Sequence, residues 1–170
     1  MSRPSWMALV AVLLLPACAQ EANRTVHDSA GQLELTLLSS AERQAEAGKT
    51  EWRLREEGIV VSVQAISATR DVPIPRTLAT VRGALETRFT EELDATFHSE
   101  ACRAASIRAA CFESRQPVGE GNRVLRRGLL LPLEDAFILV EVAGPEGSQA
   151  DVENQARLLR TSLRETRSDS

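Results

Sequence analysis

Between residues 78 and 97 the apolar side chains Leu78, Val81, Leu85, Phe89, Leu93 and Phe97 recur every three or four positions, with Arg82, Glu86, Arg88 and Glu92 between them. That spacing draws one apolar stripe along a helix. Ahead of it, Val72-Pro73-Ile74-Pro75 breaks any strand and sets Pro75 near a helix start, where a missing N–H costs nothing. A helix is expected over Arg76 to Phe97, with Gly83 inside it costing up to about 1 kcal/mol. A helix with a single apolar face must lie on something apolar, and the segments on either side of it change to a period of two.

Upstream, Leu33, Leu35 and Leu37 alternate with Gln32, Glu34 and Thr36, the pattern of a half-buried strand over Gln32 to Leu38. Trp52 and Leu54 alternate with Arg53 and Arg55. After Glu57-Gly58 the β-branched run Ile59 to Ile66 follows, so these two stretches read as a hairpin whose apolar face is Ile59, Val61, Val63 and Ala65. Ser39 to Lys49, polar and rich in Ala and Glu, fits either a short exposed helix closed by Gly48 or a loop. Downstream, Ser106 to Arg115 and Arg123 to Leu131 read as strands around the turn-rich Pro117 to Asn122, and Ala136 to Ala143 as a third, very apolar one. Ser148, with Asp151 three residues on, opens a second helix over Gln149 to Glu165, whose face is Val152, Ala156, Leu159 and Leu163. Strands, helix, strands, helix is the order of an α+β fold. The expectation is a single domain over residues 31–166, mainly an antiparallel sheet with both helices packed on one face, and a frayed tail at 167–170.

The apolar run Trp6 to Leu15 is preceded by one charge, Arg3, and ends in Pro16 and the small Ala17. This is a signal-peptide layout. Ten helical residues rise only about 15 Å, half of the ~30 Å hydrocarbon core, so the run targets the chain without spanning a membrane. Leu15-Pro16-Ala17-Cys18 resembles the bacterial lipobox. The resemblance implies cleavage between Ala17 and Cys18, a diacylglycerol on the Cys18 thiol and acylation of the new amino group. It further implies that Ala19, where Asp would retain the protein, permits transfer to the outer membrane facing the periplasm. Residues 18–30 then read as a tether, polar and patternless from Ala19, whose dozen residues stretch to roughly 40 Å.

Removing residues 1–17 leaves 153 of the 170, enough for one domain. The net charge of −4 becomes one unit more negative with the loss of Arg3, which argues against nucleic acid as a partner. Cys102 and Cys111 are the cysteines left once Cys18 is lipidated. An exported chain with two cysteines suits a disulfide. On one continuous helix they would stand about 13.5 Å apart, beyond the ~7 Å limit of a bridge, so a bridge requires the helix to stop before Cys111. If it stops near His98, Cys102 lies in the connection and Cys111 on the next strand. Two buried thiols and a redox-active pair are the alternatives.

From Ala136 onward, the strand, the Gly144-Pro145 break, the polar loop and Leu158-Leu159-Arg160-Thr161-Ser162-Leu163 resemble the end of PsbP-like domains, with a looser match in the central helix. The resemblance implies a fold, and many members of that fold bind proteins.

Chemical motifs are sparse. Gly48-Lys49-Thr50 has the tail of a phosphate-binding loop, but Arg43 stands where its first glycine belongs, so no nucleotide is expected. Gly119-Glu120-Gly121 has Val124 in place of a third glycine and reads as a hairpin loop. His27 and His98 are too few and too far apart for a zinc pattern. Glu91-Glu92 and Glu134-Asp135 are adjacent acids, which diverge on a helix and are solvated in a loop. No catalytic residue, metal site or cofactor follows. One basic cluster stands out: Arg123, Arg126 and Arg127, with Arg103, Arg108 and Arg115 near, as a patch for an acidic partner or a phosphate, or as a solvated sheet face balanced by glutamates. Three function classes are compatible with these features: a membrane-anchored, non-catalytic module that binds or assembles envelope proteins; an inhibitor or protective factor of an envelope enzyme; and an enzyme with a site assembled from scattered residues.

Overall fold

The structure, a computed structural model, describes residues 23–28, 33–38, 41–54, 58–66, 77–133 and 136–166. Among them, ten strands and two α-helices form a single α+β domain with every strand pair antiparallel. The main sheet has seven strands in the order β3 (Ala41–Glu46), β4 (Lys49–Leu54), β5 (Val60–Ile66), β9 (Phe137–Pro145), β8 (Arg123–Pro132), β7 (Ile107–Pro117), β6 (Thr96–Ala104). A small sheet sets β2 (Leu33–Leu37) between β1 (Arg24–His27) and β10 (Arg164–Glu165).

The two helices, α1 (Leu78–Thr87) and α2 (Gln149–Ser162), lie on opposite faces of the main sheet. This corrects the expectation of one shared face. Alternate residues of the central strands enter different cores: Leu129, Leu131, Ile138, Val140 and Val142 pack with Val152 and Leu159 of α2. Leu130, Phe137 and Leu139 pack with Val81 and Leu85 of α1. A strand buried on both sides reads as an unbroken apolar run, and Leu129-Leu130-Leu131 and Phe137 to Val140 are such runs. On the α2 face the inner residues of β4 and β5, Trp52, Leu54, Val61 and Val63, share their core with Leu33, Leu35 and Leu37 of β2. The small sheet and α2 together therefore cover that face.

The Leu33, Leu35, Leu37 alternation and the β4–β5 hairpin are as expected, with Trp52 paired to Val61. Four other expectations change. The described part of Ser39 to Lys49, from Ala41, is neither a helix nor only a loop: β3 runs through it as an exposed edge strand, returning to β4 through Gly48 at φ 77°. The tether expected over 18–30 is shortened, because Arg24 to His27 pair with Leu37 to Glu34 and Asp28 closes the hairpin by accepting the Leu33 N–H at 2.9 Å. The central helix ends far before Phe97. After α1 the chain widens into a π-helical turn, Arg88–Glu92, then Asp94 takes the left-handed φ of 49° and the Ala95 N–H reaches back to the Phe89 carbonyl at 2.9 Å. That bond spans one position more than the Schellman return, in keeping with the wide π-helical turn before it, and aspartate holds the left-handed position where glycine usually ends a helix. Phe97 and His98 then belong to β6. Last, α2 ends at Ser162, where Leu163 is extended and buried, and Arg164 and Glu165 join β2 as a strand. Arg76, the expected first residue of the central helix, lies outside the described residues; Thr77 is the N-cap of α1.

Candidate functional site

Cys102 and Cys111 stand on neighbouring strands β6 and β7, joined as a disulfide with Cα atoms 5.7 Å apart. Cys102 is thus on a strand, where the sequence reading put it in a connection. The bond ties a hairpin together diagonally, with the pairs Arg103–Arg108 and Ala104–Ile107 between Cys102 and the turn, where Ala105 adopts φ 49° and gives its N–H to the Arg160 carbonyl of α2 at 2.8 Å. Arg160 Nε donates to the Arg103 carbonyl at 3.1 Å. These contacts pin the end of α2 to the tip of the hairpin.

From that pinned end α2 runs across β6, β8 and β9, and a groove of about 370 Å³ opens between the helix and the outer strands. The volume falls within the range of small-ligand clefts. Its floor is apolar: Cys111 of β7, Leu129 of β8, Val140 and Val142 of β9, with Leu159 of α2. One wall is the exposed face of β6, His98 and Glu100; the other is Ala156, Arg157 and Arg160 of α2. The period-two alternation of β6 aims His98 and Glu100 to the same side.

The end of the groove away from the hairpin tip is closed by charges. Arg127 of β8 lies directly across from Glu113 of β7, and its Nη2 is 2.8 Å from Glu113 Oε2 and 2.9 Å from Glu153 Oε1 of α2. Gln149 Nε2 donates to the same Glu153 oxygen at 2.9 Å, and Arg115 Nη2 lies 3.3 Å from Glu113 Oε1. Each of these half-exposed pairs contributes less than about 1 kcal/mol, so the network shapes the groove more than it stabilises the fold. Arg127 Nε is buried with no hydrogen-bond partner among the described residues. The groove thus pairs an apolar floor with a charged end. Its lining includes no hydroxyl and no free thiol.

The expected basic cluster is divided by the pleat. Arg127 faces α2, while Arg126, the next residue, faces α1, its Nε 3.2 Å from Glu141 Oε1 and its guanidinium 6.0 Å from the centre of the Phe89 ring. Arg123 is exposed at the start of β8. Adjacent strand residues point to opposite faces, so Arg126 and Arg127 do not form one patch. Glu141 is largely buried on β9, which raises its pKa from 4.5 against the lowering pull of Arg126 and, further off, Lys49 and Arg88.

Of the other residues singled out, Ala17, Cys18, Glu134 and Asp135 lie outside the described residues. His27 is exposed on β1, and Glu91 and Glu92 are exposed on the π-helical turn. Gly48 sits in the turn between β3 and β4, Lys49 is the first residue of β4, and Gly119 and Gly121 lie in the β7–β8 loop. Among the described residues no group of three His, Cys, Asp or Glu is placed to hold a metal, and no helix is long and apolar enough to cross a membrane. Sequence reasoning missed His98 and Glu100 as groove residues because it placed them at and beyond a helix end. Reading Thr96 to Ala104 as a strand pairing through Cys102 to Cys111 would have put both on the groove wall.

No family model matches the chain, and no curated protein matches it. Solved structures do. The solution structure of cyanobacterial PsbP (CyanoP) from Synechocystis superposes with a TM-score of 0.61 at 13% identity, over 89% of this chain and 97% of that one. A Pseudomonas aeruginosa protein of unknown function, PA94, described as a putative regulator, gives 0.57 at 11% identity over 86% and 99%. A Bacteroides thetaiotaomicron protein gives 0.56 at 10% identity, with half of its length covered. At such identities the likeness is one of fold alone, and by that measure the chain has the α+β fold of the cyanobacterial PsbP structure.

Proposed function

We propose that this protein is a lipid-anchored, non-catalytic binding module of the bacterial cell envelope, and that the groove between α2 and β6 holds a segment of a partner protein. The observation that carries the reading is the groove itself: an apolar floor for a side chain beneath a rim that carries both acids and bases. Besides His98, its rim carries three acids, Glu100, Glu113 and Glu153, against three arginines, Arg127, Arg157 and Arg160. A balanced rim does not select a strongly charged small ligand, whereas a polypeptide presents apolar, acceptor and charged groups together. The anchor rests on the Leu15-Pro16-Ala17-Cys18 layout, and the outer membrane on Ala19.

The test is a photo-crosslinker placed at exposed Glu100 in the full-length, lipidated protein. A discrete set of crosslinked polypeptides is expected, lost when Ala156→Trp puts an indole into the groove. Undiminished crosslinks in that variant, shown to be folded by its thermal transition, would overturn the groove as the binding site. Crosslinking to one envelope enzyme, with loss of that enzyme's activity, would reassign the protein as its inhibitor.

A further inference from the structure

We infer that the pole of the domain formed by the start of β1 and the end of β2 faces the bilayer, and that the groove opens away from it toward the aqueous side. The inference rests on Cys18 carrying the anchor, as proposed above. What makes it possible is β1. Arg24 is paired with Leu37, so the chain is already part of the folded domain six residues after Cys18. Six steps reach at most about 20 Å and average about 13 Å as a coil. A domain of this length is roughly 40 Å across, so the leash is shorter than the body it holds.

The layer covering the α2 face fixes where that leash leaves. In the small sheet β1 lies on one side of β2 and β10 on the other. Past the end of the short β10, α2 takes over beside β2, where buried Gln155 accepts the Leu38 N–H at 2.8 Å and donates to the Thr36 carbonyl at 3.0 Å. The groove lies beyond α2, against β6. Between Arg24 and the groove stand one strand spacing and the full width of a helix with its side chains, about 16 Å in all. Turning the groove onto the bilayer would lift Arg24 by that distance, beyond the average span of the leash and toward its limit, whereas with Arg24 nearest the membrane almost none of that reach is needed. The flank beside Leu37 supports the same orientation, since β3 begins only four residues on and shows Glu42, Arg43, Gln44 and Glu46 exposed. This is a surface that stands among headgroups without inserting.

The experiment uses the lipidated protein in phosphatidylethanolamine/phosphatidylglycerol vesicles with a spin label on a fraction of the headgroups. A dye is introduced through a non-canonical amino acid, in place of Thr25 on β1 or Thr96 on β6, both exposed. Quenching at Thr25 is expected to exceed that at Thr96 by roughly twofold or more, and a twenty-residue Gly/Ser insertion after Ala19 should narrow the gap by freeing the domain to tumble. Equal quenching at the two positions without the insertion, or stronger quenching at Thr96, would overturn the orientation. Protein that lacks the lipid mass at Cys18 and leaves the vesicles would instead overturn the anchor on which it rests.

Discussion

Gly128 occupies the point where the Phe112 ring crosses β8, and a Cβ there would fall 2.3 Å from the ring and 2.7 Å from the Val140 carbonyl oxygen. The ring has little room to yield, because it is packed against Phe89 and Phe97 with centroids 5.7 and 5.5 Å away. Gly128→Ala is therefore expected to destabilise the domain by about 1–3 kcal/mol as overpacking, read as a lower denaturation midpoint with an unchanged slope. The neighbouring Glu141 predicts a pH effect. Its folded pKa is raised, so between the unfolded value near 4.5 and the higher folded value the native state binds more protons than the unfolded one. Stability from this group is full below that window and falls as pH rises through it. Glu141→Gln should flatten that fall when urea midpoints of both proteins are compared across the window; a parallel fall in the variant would assign the effect elsewhere. Neither residue announces its role in the sequence. A glycine or a glutamate in a strand-like run takes its meaning from what the neighbouring strands put beside it.

Elements were legible where one pattern sufficed and not where two patterns coincide. Leu78, Val81, Leu85 and Phe89 do form the inner face of α1 and its π-helical extension. Leu93 and Phe97 continue the same spacing and pack against the same core, yet Phe97 reaches it from a strand. The stop between them depends on Asp94 in a left-handed conformation, which few residues other than glycine adopt and which composition does not mark. The exposed β3 has no apolar alternation to reveal it, since as an edge strand it is held by pairing to β4. Gln155 is the clearest case of an element joined by one side chain. Fully buried on α2, its amide serves the Leu38 N–H and the Thr36 carbonyl as a further strand would. Gln155→Leu keeps the volume and strands both backbone groups, which costs about 1–3 kcal/mol for each one left unsatisfied. Faster amide exchange at Leu38 than in the parent protein, out of proportion to the global loss of stability, is the expected sign.

At the scale of the whole molecule, the antiparallel α+β class and the strand-rich second half followed from periodicity. The two-sided burial of the main sheet was written in the continuous apolar runs of β8 and β9, and the groove in the pairing of β6 with β7. The tether was misjudged because Arg24 to His27 has no apolar alternation; it becomes a strand through pairing with β2 and through Asp28. That strand bears on the last prediction. Two or three acyl chains, at ~0.8 kcal/mol per buried CH₂, make a lasting anchor where one would not; the chain's net charge is negative, and no described helix is of spanning length and apolarity. Cys18→Ser should therefore remove both acyl labelling and membrane retention together. The fold should survive, since the cores, the disulfide and the β1–β2 pairing all lie after residue 23. The soluble variant is expected to unfold at the midpoint of detergent-solubilised parent protein. Retention of the variant in membranes would move the attachment to the surface of the domain, and the β3 flank beside Leu37 would then be the place to substitute next.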